Sequence, residues 1–236
     1  MRLVLGSGVD PLAGSSWSTP STVAGFSQSP PNETLVAFAE RERQHAAPHR
    51  AVDIGCGAVR NAAPLAATGW DIIGTDLSWP MLVAATARVR HEAPAAHVLF
   101  TLAPMDALPV ASGSADLVIA HGIWNLARSS AEFRSGIREA ARIARGGAAL
   151  FVFTFSRHTL PYEAEPLAGE PFVFTQFSGQ PQCFLTEAQL LSELRQAGFD
   201  TDPAVPVREL NLPRPGALQS CRAPVIYEGA FRRQPI

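Results

Sequence analysis

The sequence contains no lysine, so all nineteen of its basic residues are arginines. A phosphate-binding loop of the Walker type needs a lysine, so that kind of nucleotide site is excluded. A Schiff base with pyridoxal phosphate and a lysine acting as catalytic base are excluded for the same reason. Any chemistry that the chain performs must therefore use other residue types.

Charge and long apolar runs are also scarce. Only 17% of the 236 residues are charged, and the formal net charge is −2. Because the arginines are scattered and form no basic stripe, we expect no nucleic-acid partner. The longest apolar runs, such as residues 148–153, are too short to cross a membrane, and the N-terminal residues make a poor signal peptide. We expect a cytoplasmic protein with no membrane partner, either a monomer or a homodimer.

Cysteine and histidine show no spacing typical of a metal site. The three cysteines are Cys56, Cys183 and Cys221, and an odd count without a secretory signal favours free thiols. The six histidines include no H-E-x-x-H pair, so we expect no metal.

Hydrophobic periodicity indicates an α/β domain. Residues 1–31 are rich in serine, proline and glycine and are expected to be irregular, and a helix is expected to begin after Asn32 as N-cap. Strand-like and helix-like segments then alternate: strands at 50–54, 71–75, 97–102, 115–120 and 148–155, and helices at 60–68, 80–91 and 130–145, the last with Gly146-Gly147 as C-cap. This alternation predicts a parallel, doubly wound sheet whose ligand lies beyond the carboxyl ends of the strands.

The C-terminal third breaks this rhythm. Residues 156–184 have no regular period and several phenylalanines, which is unusual unless the segment covers a site, so a lid-like insertion is expected there. The aromatic stretch 171–177 is alternatively an extra edge strand. A capping box, Thr186 to Gln189, opens a helix over 186–198, and residues 205–210 and 225–231 are strand candidates.

A glycine turn after the first strand of this alternation indicates a cofactor site. Asp53-Ile54-Gly55-Cys56-Gly57 places two glycines where a strand passes into a helix, and Asp76 ends the next strand. An acid in that position accepts the hydroxyls of a ribose. A dinucleotide site would have a third glycine where Arg60 stands, and Asp53 would repel a pyrophosphate, so a cationic sulfonium cofactor is favoured.

The turn, with Arg60-Asn61 and the run 65–71 after it, resembles the first motif of class I S-adenosylmethionine-dependent methyltransferases. Within that class it is similar to the tellurite-resistance and thiopurine-like small-molecule branch, and Pro31-Asn32 fits the branch's N-terminal helix. The resemblance covers roughly residues 26–155. It implies a Rossmann-like, mostly parallel, seven-stranded sheet with helices on both faces, in a single methyltransferase domain over 32–236 with residues 1–31 as a possible cover of the active site.

The resemblance also implies which residues hold S-adenosylmethionine and its product S-adenosylhomocysteine. They are Asp53, Gly55, Cys56, Gly57, Arg60, Asp76, Leu77, Met105, Asp106, Ala107, His121 and Gly122. Asp53 and the Gly55 carbonyl would lie near the methionyl ammonium, and Arg60 would pair with its carboxylate.

Further roles follow from the same resemblance. Asp76 would hold the ribose and Leu77 would pack on the adenine. Asp106 would bind the adenine amino group beside Met105. His121 and Gly122 would line the sulfonium end.

One residue departs from the family pattern. Where the family has glycine two positions after Gly57, this chain has Val59, so the turn geometry is expected to differ near Ala58 and Val59.

The methyl acceptor is harder to read from the sequence. Candidate groups follow two strand ends: His121 and Trp124 after one, Arg157 and His158 after the other. Either histidine is a candidate base, and Arg157 is a candidate for an anionic acceptor. A small-molecule methyltransferase working by in-line displacement is the leading hypothesis. A nicotinamide-dependent oxidoreductase and a non-catalytic S-adenosylmethionine-binding protein stay open, and an RNA or protein methyltransferase is disfavoured.

Overall fold

A nine-stranded sheet runs through the computed structural model, which describes residues 2–3, 9–44, 49–212 and 223–235. Its strands, with the two that form a separate hairpin, are β1 (Arg2–Leu3), β2 (Arg50–Ile54), β3 (Asp71–Asp76), β4 (Val98–Leu102), β5 (Ala115–His121), β6 (Ala144–Phe155), β7 (Val173–Phe174), β8 (Gln182–Cys183), β9 (Phe199–Thr201), β10 (Arg208–Leu210) and β11 (Ile226–Arg233). The helices are α1 (Pro20–Gln28), α2 (Glu33–Arg43), α3 (Ala62–Ala67), α4 (Trp79–Glu92), α5 (Ser130–Ile143) and α6 (Glu187–Gln196).

Seven strands in the order β4-β3-β2-β5-β6-β11-β10 form the body of the sheet. The first five are mutually parallel, and β11 runs antiparallel to both β6 and β10. The predicted doubly wound, mostly parallel, seven-stranded sheet is therefore confirmed. Two short strands extend it: β1 pairs with β4, and β9 pairs with β11.

The two faces of the sheet bury separate hydrophobic clusters. Leu117, Ile119 and Phe151 face helices α2, α3 and α4, whereas Val118 and Leu150 face α5 and α6. This division follows from the two-residue repeat of a strand, since neighbouring side chains point to opposite faces. The sheet is thus covered on both sides, and its carboxyl edge remains for a ligand.

Local signals place the helix starts well. The Asn32 side chain accepts a hydrogen bond from the Leu35 N–H at 3.0 Å, so Asn32 is the N-cap of α2 as predicted. The capping box that opens α6 is present, with Thr186 and Gln189 bonded in both directions.

Two expectations about secondary structure were wrong. Residues 1–31 are not irregular throughout, because α1 spans Pro20–Gln28 with Thr19 as N-cap and proline at its first position. Gly146-Gly147 does not cap α5, which ends at Ile143. Instead β6 begins at Ala144, since Ala144 pairs with Ala115 of β5.

The segment 156–184 forms a small structure of its own. A 3₁₀ turn at Arg157–Thr159 is followed by the β7–β8 hairpin, and the hairpin does not join the large sheet. Phe155, Phe174, Phe177 and Phe184 pack together here with ring centroids 5.3–6.1 Å apart. We call these four residues the aromatic cluster. Across the described residues, no helix has the length and apolar character needed to cross a bilayer.

Candidate cofactor and acceptor site

The predicted glycine turn connects β2 to α3 at the carboxyl edge of the sheet. Gly55 and Gly57 both have positive φ, +67° and +51°. A Cβ on Gly55 would lie 2.6 Å from Ile123 Cδ1, so glycine is required there by contact as well as by conformation. Cys56 contributes its backbone to the turn, while its thiol is buried near Gly74, and burial raises the thiol pKa.

Asp76 anchors the turn to the end of β3. Its Oδ2 accepts the Gly57 N–H at 2.9 Å, and its Oδ1 accepts the Ser78 N–H at 2.8 Å. The carboxylate therefore lies directly against the glycine turn, as the spacing predicted. Burial raises the pKa of Asp76, although these backbone hydrogen bonds act in the opposite direction.

Asp53 and Arg60 place an acidic and a basic side chain beside the turn without forming a salt bridge. Asp53 is buried, and burial, reinforced by the charge of Asp76, raises its pKa to about 8. Burial lowers the pKa of Arg60, against the attraction of Asp53. Within the described ranges, neither side chain has a hydrogen-bond partner. Unpartnered groups of opposite sign fit a ligand that carries both an ammonium and a carboxylate.

Val59 adopts a left-handed backbone conformation despite its β-branched side chain. Its φ is +52°, a left-handed conformation that costs a β-branched residue free energy, about 1–2 kcal/mol. Its N–H donates to the Cys56 carbonyl, and its side chain is fully buried against the helices of that face. The backbone near Val59 therefore takes the conformation that glycine adopts readily, and the burial of the valine offsets the strain.

Only some of the residues expected around the adenine lie at the carboxyl edge of the sheet. The Ala103 N–H donates to the Asp76 carbonyl, which places the segment after β4 beside the turn. Asp106 and Ala107 are exposed there. Met105, in contrast, is buried in the core cluster of α5, where its Cγ lies 3.4 Å from a Cβ built on Gly136. Leu77 is half-buried.

His121 ends β5 in a polar network that sequence reasoning missed. Its ring stacks on Phe153 with centroids 4.0 Å apart, and its Nε2 lies 3.3 Å from Asn32 Nδ2. Because Asn32 Oδ1 caps α2, the amide nitrogen must face His121, and Nε2 therefore accepts. Burial, with the charge of Arg60 adding to it, lowers the pKa of His121 to about 3. Gly122 follows with φ +74° and open space around its Cα.

Two residues of the C-terminal strands complete this network. Glu228 Oε2 accepts from Asn32 at 2.7 Å, and its Oε1 accepts from Arg208, also at 2.7 Å. Glu228 is 2% exposed and lies in register with Phe153, next to His121. An acidic residue inside the apolar strand 225–231 is the signal that would have identified it. The register that joins it to Asn32 has no local signature.

Trp124 and Arg157 were expected to contact the methyl acceptor, but their side chains have other partners. Trp124 is fully buried against Phe133 and the backbone of Gly136, so it packs in the core and does not line an open site. The Arg157 guanidinium donates to four backbone carbonyls, of residues 160, 161, 162 and 164, and lies over the Phe174 ring at 5.0 Å. These hydrogen bonds hold the loop 160–164, so both Nη atoms of Arg157 are already engaged and are not available to an anionic acceptor.

His158 lies at the carboxyl end of β6 with its imidazole 64% exposed. Its Nδ1 is 2.8 Å from Glu209 Oε1, and its backbone N–H donates to Ser156 Oγ at 3.1 Å. Ser156 Oγ also donates to the same oxygen of Glu209. Sequence reasoning named His158 but missed Ser156 and Glu209 as its partners.

The N-terminal segment packs over the glycine turn. Phe26 of α1 would lie 3.5 Å from a Cβ on Gly57, and Trp17 packs edge-on against Phe26. Asp10 accepts the Trp79 N–H at the start of α4, and Ser18 bonds Ser78 beside Asp76. Residues 9–29 thus lie against the glycine turn and the start of α4.

Other polar groups lie away from this edge. A surface depression of about 440 Å³ is lined by Trp70, Asp71, Glu92 and His97 near the amino ends of the strands, opposite the glycine turn. Among the described residues, no group of three or more His, Cys, Asp or Glu side chains is arranged to hold a metal ion. Cys183 is buried and donates to the Ala127 carbonyl, and burial raises its pKa, whereas Cys221 lies outside the described residues.

Comparison with known protein families finds a match over part of the chain. Residues 52–152 match the family model described as a methyltransferase domain. No curated protein sequence matches the chain with significance.

Solved structures share the fold at low sequence identity. An S-adenosylmethionine-dependent methyltransferase from Methanosarcina mazei is 18% identical with a TM-score of 0.65, over 82% of this chain and 97% of that one. A 1,6-didemethyltoxoflavin-N1-methyltransferase from Burkholderia thailandensis, solved with S-adenosylhomocysteine, is 16% identical with a TM-score of 0.62, over 86% and 77%. A [4+2]-cyclase is 18% identical with a TM-score of 0.64, over 86% and 81%.

These matches confirm the predicted Rossmann-like methyltransferase fold. The tellurite-resistance and thiopurine-like branch is not among the similarities found, so that assignment stays a prediction. The cyclase illustrates that the fold alone does not specify the reaction.

Proposed function

We propose that this chain is an S-adenosylmethionine-dependent methyltransferase that transfers the methyl group by in-line displacement to a small-molecule acceptor. The observation that supports it most is that, among the described residues, neither Asp53 nor Arg60 beside the Gly55–Gly57 turn has a hydrogen-bond partner. When bound, S-adenosylmethionine supplies a methyl group on a positively charged sulfur. A buried Asp53 and Asp76 favour such a cation and disfavour the pyrophosphate of a nicotinamide cofactor.

Each residue of the turn has a defined part in this proposal. Asp53 attracts the methionyl ammonium and Arg60 its carboxylate. Asp76, held in place by the Gly57 and Ser78 amides, accepts hydrogen bonds from the ribose. Asp106 is exposed at the same edge, within the segment that the family pattern assigns to adenine.

The proposal of a small acceptor rests on the cover and on the charge. The segment 156–184 and residues 9–29 both pack near the carboxyl edge, and such a cover would favour a small acceptor. The net charge of −2 and the scattered distribution of the arginines argue against RNA.

Two measurements test the function. Calorimetry should detect S-adenosylmethionine and S-adenosylhomocysteine but not NAD. Incubation with methyl-labelled donor and a panel of phenols, thiols, amines and metalloid oxyanions should give a product heavier by one methyl group. Binding of NAD alone would overturn the proposal. Binding of S-adenosylmethionine without transfer to any acceptor would favour the non-catalytic alternative.

A further inference from the structure

The two histidines at the carboxyl edge differ in whether a nitrogen remains free to accept a proton. His121 Nε2 already accepts from Asn32, and burial lowers the pKa of its ring to about 3. A base that weak is poorly matched to proton removal at neutral pH. His121 therefore contributes an aromatic ring stacked on Phe153 and is not the base.

His158 has the opposite arrangement. Its Nδ1 faces Glu209 at 2.8 Å, and no hydrogen bond to its Nε2 is found in the described part of the chain. Burial alone would raise the pKa of Glu209, but hydrogen bonds from Ser156, His158 and Tyr227 hold it below its ordinary value. Glu209 is therefore a carboxylate near neutral pH, which fixes the hydrogen on Nδ1 and leaves the Nε2 lone pair directed outward.

Ser156 holds this pair in position. It is fully buried, donates to Glu209 and accepts the His158 backbone N–H at 3.1 Å. A bridge to Leu185 and a bond to the Val225 carbonyl fix its backbone. Glu209 thus holds the exposed imidazole by one hydrogen bond, and Ser156 links the Glu209 carboxylate to the His158 backbone.

The location favours a role toward the acceptor. Ser156 and His158 follow β6, the strand next to β5, and the Gly122 N–H bonds the Phe153 carbonyl across that pair. Immediately before Ser156, Phe155 is half-buried and contacts Phe177 of the aromatic cluster, whose side chain is 38% exposed. An aromatic ring would stack on side chains of this kind.

Resting on the proposed function, we propose that His158, positioned by Glu209 and Ser156, is the general base for an aromatic hydroxyl acceptor. The phenolic proton passes to His158 Nε2 as the oxygen bonds the methyl carbon. The carbon–sulfur bond breaks with its electron pair going to sulfur, which yields the methyl ether and S-adenosylhomocysteine. The imidazolium then returns the proton to solvent.

The test compares His158→Gln and Glu209→Gln with the wild-type chain on phenols of graded acidity. Removing a general base costs about 10²–10⁴-fold in rate. We expect His158→Gln to lower kcat about 100-fold on weakly acidic phenols and less than about threefold on a nitrophenol that is already ionised. Glu209→Gln should show the same dependence with a smaller loss. Affinity for S-adenosylmethionine by calorimetry should stay unchanged in both variants.

The chain offers a matched control. His97 is an exposed histidine 3.6 Å from Asp71 near the amino ends of the strands, so His97→Gln should leave kcat unchanged. Added imidazole should restore part of the activity of His158→Gly. An equal loss on all phenols, no loss, or wild-type transfer only to thiols or amines would overturn the inference and leave the proposed function intact. Failure to bind S-adenosylmethionine would refute the proposed function itself.

Discussion

The glycine turn after β2 and the His158–Glu209 pair after β6 lie at the same edge of one sheet but are assembled from different parts of the chain. The turn brings together Asp53, Gly57 and Asp76 from two consecutive strands. The pair His158–Glu209 joins residues that are 51 positions apart in the sequence.

The difference has a physical basis in how each region is held. At the turn, backbone amides and glycine conformations set the geometry, so the chain there is determined by short-range constraints. At the acceptor end, Glu209 reaches His158 because β10 pairs with β11 and β11 pairs with β6 in one register. Changes at the turn should therefore affect cofactor binding. Changes at the acceptor end should affect stability or rate and leave cofactor binding unchanged.

The largest effect is expected for Gly55→Ala. Its φ of +67° and the 2.6 Å approach of a Cβ to Ile123 combine backbone strain with overpacking. Unfolding free energy measured with denaturant should fall by about 2–4 kcal/mol. Gly113→Ala is the control, since Gly113 has φ +62° but open space around it, and should lose about 1–2 kcal/mol. Equal losses would show that the contact with Ile123 adds nothing.

Asp76→Ala is expected to act on affinity. The variant removes the acceptor of the Gly57 and Ser78 amides and of the ribose. Affinity for S-adenosylmethionine by calorimetry should fall about 10–100-fold, because each hydrogen bond to a charged group is worth about 1.5–3 kcal/mol. Asp71→Ala, at the other end of the same strand and half exposed, should change it little. A matching loss in both variants would remove the ribose assignment.

Glu228→Gln tests whether the acceptor end of the edge is independent of the glycine turn. Glu228 is 2% exposed and pairs with Arg208, so its neutralisation should lower stability by about 1–3 kcal/mol. Affinity for S-adenosylmethionine should change less than about twofold. Glu92→Gln, which neutralises a carboxylate that is 39% exposed in its pair with Arg88, should cost less than about 1 kcal/mol. A loss of affinity as large as that of Asp76→Ala would contradict the separation of the two ends.

The last expected effect is a pH dependence set by Asp53. Its raised pKa of about 8 means that the stability conferred by the neutral carboxyl is full below the unfolded pKa and is lost as pH rises through about 8. A cationic cofactor favours the ionised form, so affinity should rise with pH by at most about tenfold per unit and level off above about 8. Calorimetry from about pH 6 to pH 9 measures it, and Asp53→Asn should flatten the curve. A flat wild-type curve would place the cofactor's cationic groups away from Asp53.

Much of the fold was predictable because its signals are local. The alternation of apolar periods, the caps at Asn32 and Thr186 and the glycine turn each involve residues within a few positions of one another. Helix α1 was missed because it buries none of its residues deeply and is rich in serine. The start of β6 at Ala144 was missed because the pairing with Ala115 overrides the pair of glycines that follows.

The sequence alone determined the sheet, the turn and Asp76, because a strand, its turn and the next strand form one short unit whose hydrogen bonds close locally. Tertiary structure decided the roles at the acceptor end. Asn32 donates to the Nε2 of His121, Trp124 packs in the core, and within the described residues the Nε2 of His158 has no hydrogen-bond partner. Those outcomes depend on strand register and burial, which bring together residues too distant in the chain for any local pattern to connect them.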